Sequence, residues 1–383
     1  MKYLLAIPAL LAAALISPLK ADTLDLSFGQ HAASNVFQTR YAERDYISAI
    51  EFSLAKDAGG VALLAGAGMD YFARNPGLSF ASVRGGIDGV LPLGAKSGLY
   101  ISGTAEGSFF RSDYRDFNNL SLKLLVAWKT YISQSSIARG SYDLEYRNFA
   151  YGVFDFVSHS LALSLDKFFP SNTTLKAGAG WGYKYFLHPF EPSDAPAPAD
   201  GAGRGPGRGP GGYAAPGSAS AGQGIQNISL SAVVAQGFGS AVGLSLAFDR
   251  QWTVSGKSPF RTVEETYLAE NPTYDRFAWE GWGLAAVLTT HIIQDIEIKL
   301  GYTMTDRRFP GIESLSLEGA LLGITREDRR RQAEVKIEKD FRRLTVFLAC
   351  AYVRNRSNAP LFDWKGVFVS GGIRWNMNFG KKR

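Results

Sequence analysis

The sequence predicts an all-β fold: an antiparallel, up-and-down barrel whose strands cross a membrane. Three observations predict it. Apolar and polar residues alternate with period two along segment after segment. The connections between those segments are short and longer in turn along the whole chain, a rhythm that a soluble sandwich has no reason to keep. After residue 21 there is no run of eighteen apolar residues, which excludes a bundle of membrane helices. Composition agrees, since 13% aromatic residues and 42 glycines in 383 suit strands and tight turns.

Alternation and turn residues mark sixteen strands, at 23–33, 46–55, 60–73, 79–93, 97–110, 117–131, 136–148, 157–168, 173–187, 225–236, 240–254, 276–291, 293–306, 330–340, 343–354 and 364–379. The first and fourteenth are the least regular, which leaves fourteen strands as the fallback. In 120–128 one face carries Leu120, Leu122, Leu124, Val126 and Trp128, and the other carries Ser121, Lys123, Leu125 and Ala127. In 296–304 Ile296, Ile298, Leu300, Tyr302 and Met304 oppose Glu297, Lys299, Gly301 and Thr303. Hydrocarbon offers no hydrogen bonds to a backbone, so strands with an apolar face this long imply a ladder without edges, a closed barrel. Seven connections are short, such as 56–59, 94–96 and 237–239. The alternate ones, including 34–45, 188–224, 255–275 and 307–329, are mostly longer.

The two ends refine this picture. Val367, Val369, Gly371, Ile373, Trp375, Met377 and Phe379 occupy every second position of the last strand. This strand resembles the C-terminal strand of bacterial outer-membrane β-barrels, porin-like proteins in which an amphipathic final strand closing on an aromatic is read by the barrel-assembly machinery. The resemblance implies that Trp375, Met377 and Phe379 form an insertion signal. It also implies an outer-membrane location and a homotrimer as in sixteen-stranded porins, while the alternation of short and longer connections places both termini in the periplasm. At the other end Met1 and Lys2 precede an apolar stretch from Tyr3 to Ile16, then Ser17, Pro18 and Ala21. This reads as a secretory signal peptide, residues 1–21, cleaved after Ala21. The barrel then occupies 22–383. The 41 basic residues less Lys2 and Lys20 leave 39 against 35 acidic, a net charge of +4. That balance is too mild to indicate a nucleic-acid partner. Segment 188–224 is rich in Gly, Pro and Ala and cannot bury enough apolar surface to order itself. It is expected to be a disordered outer loop, either one whose Arg204 and Arg208 meet anionic groups or an idle insertion.

Registers set by the apolar faces turn Arg84, Lys123, Lys129, Arg139, Arg147, Lys176, Lys184, Lys299, Lys336 and Arg374 inward. They do the same for Glu51, Asp88, Glu106, Asp143, Glu145, Asp166, Asp249, Glu297, Glu334 and Glu338. Charges at bilayer depth require water or a partner. Two explanations stand: they line an aqueous channel for small polar solutes, or they pair across a closed lumen while the outer loops bind surface or host ligands. Barrel width grows with strand number, and sixteen strands favour the channel. Gly178, Gly180 and Gly182 share the inner face of strand nine. They leave room for a large side chain or a ligand against the wall, or let the barrel bend, and bending is the simpler explanation. Arg326, Arg329, Arg330 and Arg331 form a possible anion patch, for lipid phosphates or another polyanion.

Nothing in the sequence indicates an enzyme. Of the four histidines, His31, His159, His188 and His291, only His159 has serines beside it, and period two puts Ser158 and Ser160 on the opposite face. No His/Cys cluster suggests zinc, and no cofactor is implied.

Overall fold

The strands implied by alternation form one closed ring. The computed structural model describes residues 22–150, 155–188, 224–257, 275–293, 296–318 and 320–379. Sixteen strands run β1 (Thr23–Ala33), β2 (Asp45–Asp57), β3 (Val61–Phe72), β4 (Phe80–Pro92), β5 (Ser97–Phe110), β6 (Asn119–Ser133), β7 (Ser136–Phe149) and β8 (Phe156–Phe168). They continue as β9 (Thr173–Phe186), β10 (Gly224–Phe238), β11 (Val242–Ser255), β12 (Glu280–Ile293), β13 (Ile296–Leu315), β14 (Leu321–Phe341), β15 (Leu344–Ser357) and β16 (Trp364–Asn378). Each pairs antiparallel with its sequence neighbours, and β1 closes the ring on β16. Residues 1–21, where a leader is expected, and residues 189–223 of the Gly/Pro-rich connection lie outside the described residues.

All sixteen expected strands are present, though the bounds of β12, β13 and β14 differ from those expected. One expected connection is largely not a loop. Of the stretch 307–329, most is strand: β13 runs 20 residues and β14 runs 21, as a hairpin that outreaches its neighbours. The alternation breaks at Pro310-Gly311, where the β13–β14 register shifts between Arg308 and Glu313. A strand carrying such an irregularity looks like a loop to a period-two reading.

The short connections lie at one end, and most of those described carry a left-handed residue. Gly59 and Gly60 have φ of 78° and 99°, and their N–H groups donate to Asp57 Oδ1. Positive φ costs glycine nothing, which is why a four-residue turn is possible there. The opposite end carries the longer connections, and these pack on one another. Val36 and Phe37 of the β1–β2 connection meet Leu78 and Tyr114 of the next two outer connections. Arg40 donates its N–H to Leu361 O, and Tyr41 Oη donates to Leu317 O.

The outward face is an apolar belt of exposed side chains, among them Leu120, Leu122, Leu163, Leu230, Leu300, Val335 and Leu348. Trp375 and Phe379 lie on this face too. Such a belt is stable only against lipid. Leu300→Arg near its middle is therefore expected to cost roughly 2–4 kcal/mol in folding into bilayers, against little for inward Thr303→Arg. Denaturant titrations in phospholipid vesicles measure the difference, and equal costs would exclude lipid from this face.

Candidate functional site

The inner face carries the charged residues that the sequence assigns to it, and most are paired. Glu145 of β7 accepts from Ser121 at 3.0 Å and from Arg147 at 2.6 Å, and lies 3.6 Å from Lys123 Nζ. Arg84 pairs with Glu51 at 2.6 Å, and Asp88 accepts from Ser102 at 2.6 Å. Lys299 pairs with Glu297 and Lys336 with Glu338, each at 2.5 Å. Arg139 pairs with Asp166, and Arg374 with Glu338. Glu106 stands in register with Arg84. Exposed pairs such as Arg84–Glu51 contribute at most about 1 kcal/mol each, so they set local field direction more than stability. Asp143, Lys176 and Asp249 remain exposed on the same face.

Lys184 departs from the expectation. It points inward, but it is fully buried, so it is not a water-facing lumen charge. Its Nζ lies 3.3 Å from Asp275 Oδ2 and 4.0 Å from the centre of the Phe156 ring. Phe149, Phe156, Phe186, Ile225 and Phe277 form the apolar cluster around it. Burying an ammonium requires a counter-charge and a polarisable wall, and Asp275 and the rings supply both.

Asp275 belongs to a segment that the sequence reading missed. Residues 275–279 follow the long outer connection between β11 and β12, and they do not start β12 at 276 as alternation suggests. They fold back onto the inner wall. Asn227 Nδ2 and Gln251 Nε2 both donate to Arg276 O at 2.5 Å, Gln251 donates also to Trp279 O, and Phe277 N donates to Asp275 Oδ1 at 2.8 Å. A Cβ on Gly182 would stand 2.9 Å from Phe277 Cε1 and 3.2 Å from Arg276 Nη2. Gly182 thus serves to make room for bulky side chains, not bending. Gly178 and Gly180 leave space only for Ser231 and Ser229.

Arg276 reaches from this segment into the interior. Above it, toward the long connections, lies a recess of about 420 Å³ lined by Thr104, Lys123, Asp143, Glu145 and Ser160 among others. Below it lies a second of about 640 Å³ whose inner wall includes Lys129, Arg139, Ser141, Ser164 and Lys176. Arg276 borders both. Burial pushes its guanidinium pKa below the ordinary value, and Asp143 and Asp275 oppose that shift. Among the described residues, no acceptor reaches its buried Nη2.

Period two divides the four-arginine patch. Arg326 and Arg330 turn inward, whereas Arg329 and Arg331 turn outward. Arg326 is buried between the Phe309 and Phe362 rings and pairs with Asp328 at 2.6 Å, which makes it a structural residue. Arg330 donates to Gln38 and Gln332. His159 turns outward, its Nδ1 2.6 Å from Tyr142 Oη, away from Ser158 and Ser160.

No protein-family model matches the chain, and no curated protein sequence does. Solved structures do. The chain is similar to a bacterial polysaccharide outer membrane secretin, at 7% identity and a TM-score of 0.51, over 93% of this chain and 99% of that one. It is similar to OccAB1 of Acinetobacter baumannii at 9% identity and a TM-score of 0.50, over 94% and 99% of the two chains. A third likeness is to CdiB of Acinetobacter baumannii, at 8% identity and a TM-score of 0.52, covering 92% of this chain and 60% of that one. What the comparisons show for this chain is its fold, the closed antiparallel barrel.

Proposed function

We propose that this sixteen-stranded outer-membrane barrel is a channel for small polar solutes, narrowed at one level by residues 275–279. The observation that carries the reading is the pair of recesses on either side of Arg276, each of which presents charged and hydroxyl side chains among its lining. A barrel built only to display loops has no need of a polar interior, because apolar side chains fill a closed core at lower desolvation cost. At the narrow level Arg276 faces Asp143, with Lys123 and Glu145 just above. Opposed charges across a neck orient dipolar and zwitterionic solutes and hold back apolar ones. The two signs are balanced, so strong anion or cation selectivity is not expected.

Single-channel recording of refolded protein in planar bilayers tests this. The expected result is a steady ohmic conductance that neutral polyols reduce up to a size cutoff. A refolded barrel that passes no current would replace the channel with the closed, ligand-binding barrel.

A further inference from the structure

We infer that the outward rim of β14, β15 and β16 is a binding site for the phosphate groups of outer-leaflet lipid. Arg331 stands in register with Arg354, and Arg354 with Lys365. One step farther out, Arg329 stands opposite Arg356. Like charges directly opposite on neighbouring strands repel, so five cations in two adjacent rows call for an anion between them. The chain supplies only part of it. Arg329 reaches Asp306 at 3.1 Å and Arg354 reaches Asp363 at 2.9 Å, and Glu327 is exposed beyond them. Among the described residues, no carboxylate lies within ion-pair distance of Arg331, Arg356 or Lys365, and all three are exposed.

Depth identifies the partner. On the same face, Tyr352 pairs with Val367 and lies two residues below Arg354, about 7 Å along the strand. Below Tyr352 follow Cys350, Leu348 and Val346, all on the apolar belt. The row of Arg331, Arg354 and Lys365 therefore begins where hydrocarbon ends, at headgroup level. The outward positions at the outer ends of β2, β3, β5, β7 and β9 are aromatic instead, Tyr46, Tyr71, Phe109, Tyr146 and Tyr183. Guanidinium groups in fixed register bind phosphate bidentately, and that geometry favours a phosphorylated headgroup over a diffuse counterion cloud. This inference does not rest on the channel reading.

The test is native mass spectrometry of the folded protein in a neutral detergent. The probes are a bis-phosphorylated acylated disaccharide, the same glycolipid without its phosphates, and inorganic phosphate. The wild type should retain the phosphorylated glycolipid, and R331Q/R354Q/K365Q should retain it at least about tenfold less well. K339Q, an outward cation at the other end of β14, should behave as wild type. Rising salt should release the phosphorylated form from the wild type and leave the dephosphorylated form unaffected, a readout that needs no variant. Equal retention of the two glycolipids, equal retention by the triple variant, or displacement by inorganic phosphate alone would overturn the assignment.

Discussion

Gly182→Val is expected to drive residues 275–279 off the inner wall and raise single-channel conductance, leaving the barrel intact. Valine suits a strand, so backbone conformation is not the cause. The cause is space. The first added carbon already falls 2.9 Å from Phe277 Cε1 and 3.2 Å from Arg276 Nη2, and the Phe277 ring has no retreat because it is buried in the aromatic cluster. Overpacking of this kind costs about 1–3 kcal/mol. If the docked segment is in equilibrium with a released one, that cost raises the released population roughly 5- to 150-fold. Recordings should then show a larger conductance state that is rare in the wild type. Gly178→Val makes the control, since its neighbours are Ser231 and Ser164 and not the segment. Unchanged conductance in a Gly182→Val barrel that still shows the heat-modifiable mobility of the folded form would remove 275–279 from the permeation path.

Lys184→Met is expected to release the same segment from its other anchor. Methionine preserves the packing against Phe156 and Phe186 but leaves Asp275, 6% exposed, as a buried carboxylate without its ammonium. Breaking one partner of a buried pair costs about 3–5 kcal/mol. The barrel ladders do not involve that pair, so the cost falls on docking. Trypsin cleavage after Arg276 reports it: the docked segment resists, and the variant should be cut at least about a hundredfold faster. Lys184→Met with Asp275→Asn should restore most of the resistance. It removes both charges yet keeps the acceptor for Phe277 N. A single variant no more sensitive than the wild type would show that the pair does not hold the segment.

These two predictions concern the part of the molecule that was least legible in the sequence, for a physical reason. Barrel strands are specified locally. Leu120, Leu122 and Leu124 against Ser121 and Lys123 state which side meets lipid, and a shift by one residue inverts every side chain. The strand positions and the inward set of charges follow from that rule alone. The folding-in of 275–279 depends on partners 91 residues apart, Lys184 and Asp275, and no short-range pattern records such a pair. Asp275-Arg276-Phe277-Ala278-Trp279 itself alternates well enough to pass for the start of a strand. Two traces were nevertheless present. Three glycines in a row on one inner face left a groove without an occupant. Lys184 lay between aromatics at the outer end of β9, where a water-facing cation gains nothing from rings. The arginine cluster shows the converse. Contiguity in sequence suggested one patch, but alternation sends its members to opposite sides, and the basic row emerges only when Arg354, Arg356 and Lys365 join from two other strands.

Because β1 hydrogen-bonds to β16, from Thr23 opposite Asn378 to Ala33 opposite Phe368, the first strand gains its second neighbour only after the ribosome has passed residue 368. Until then every partial sheet has two raw edges, and each unsatisfied edge group in hydrocarbon costs several kcal/mol. The nascent polypeptide must therefore travel unfolded to the bilayer and be shielded from aggregation on the way. A nonsense allele that stops translation before Trp364 would leave no smaller pore behind, only a substrate for proteolysis.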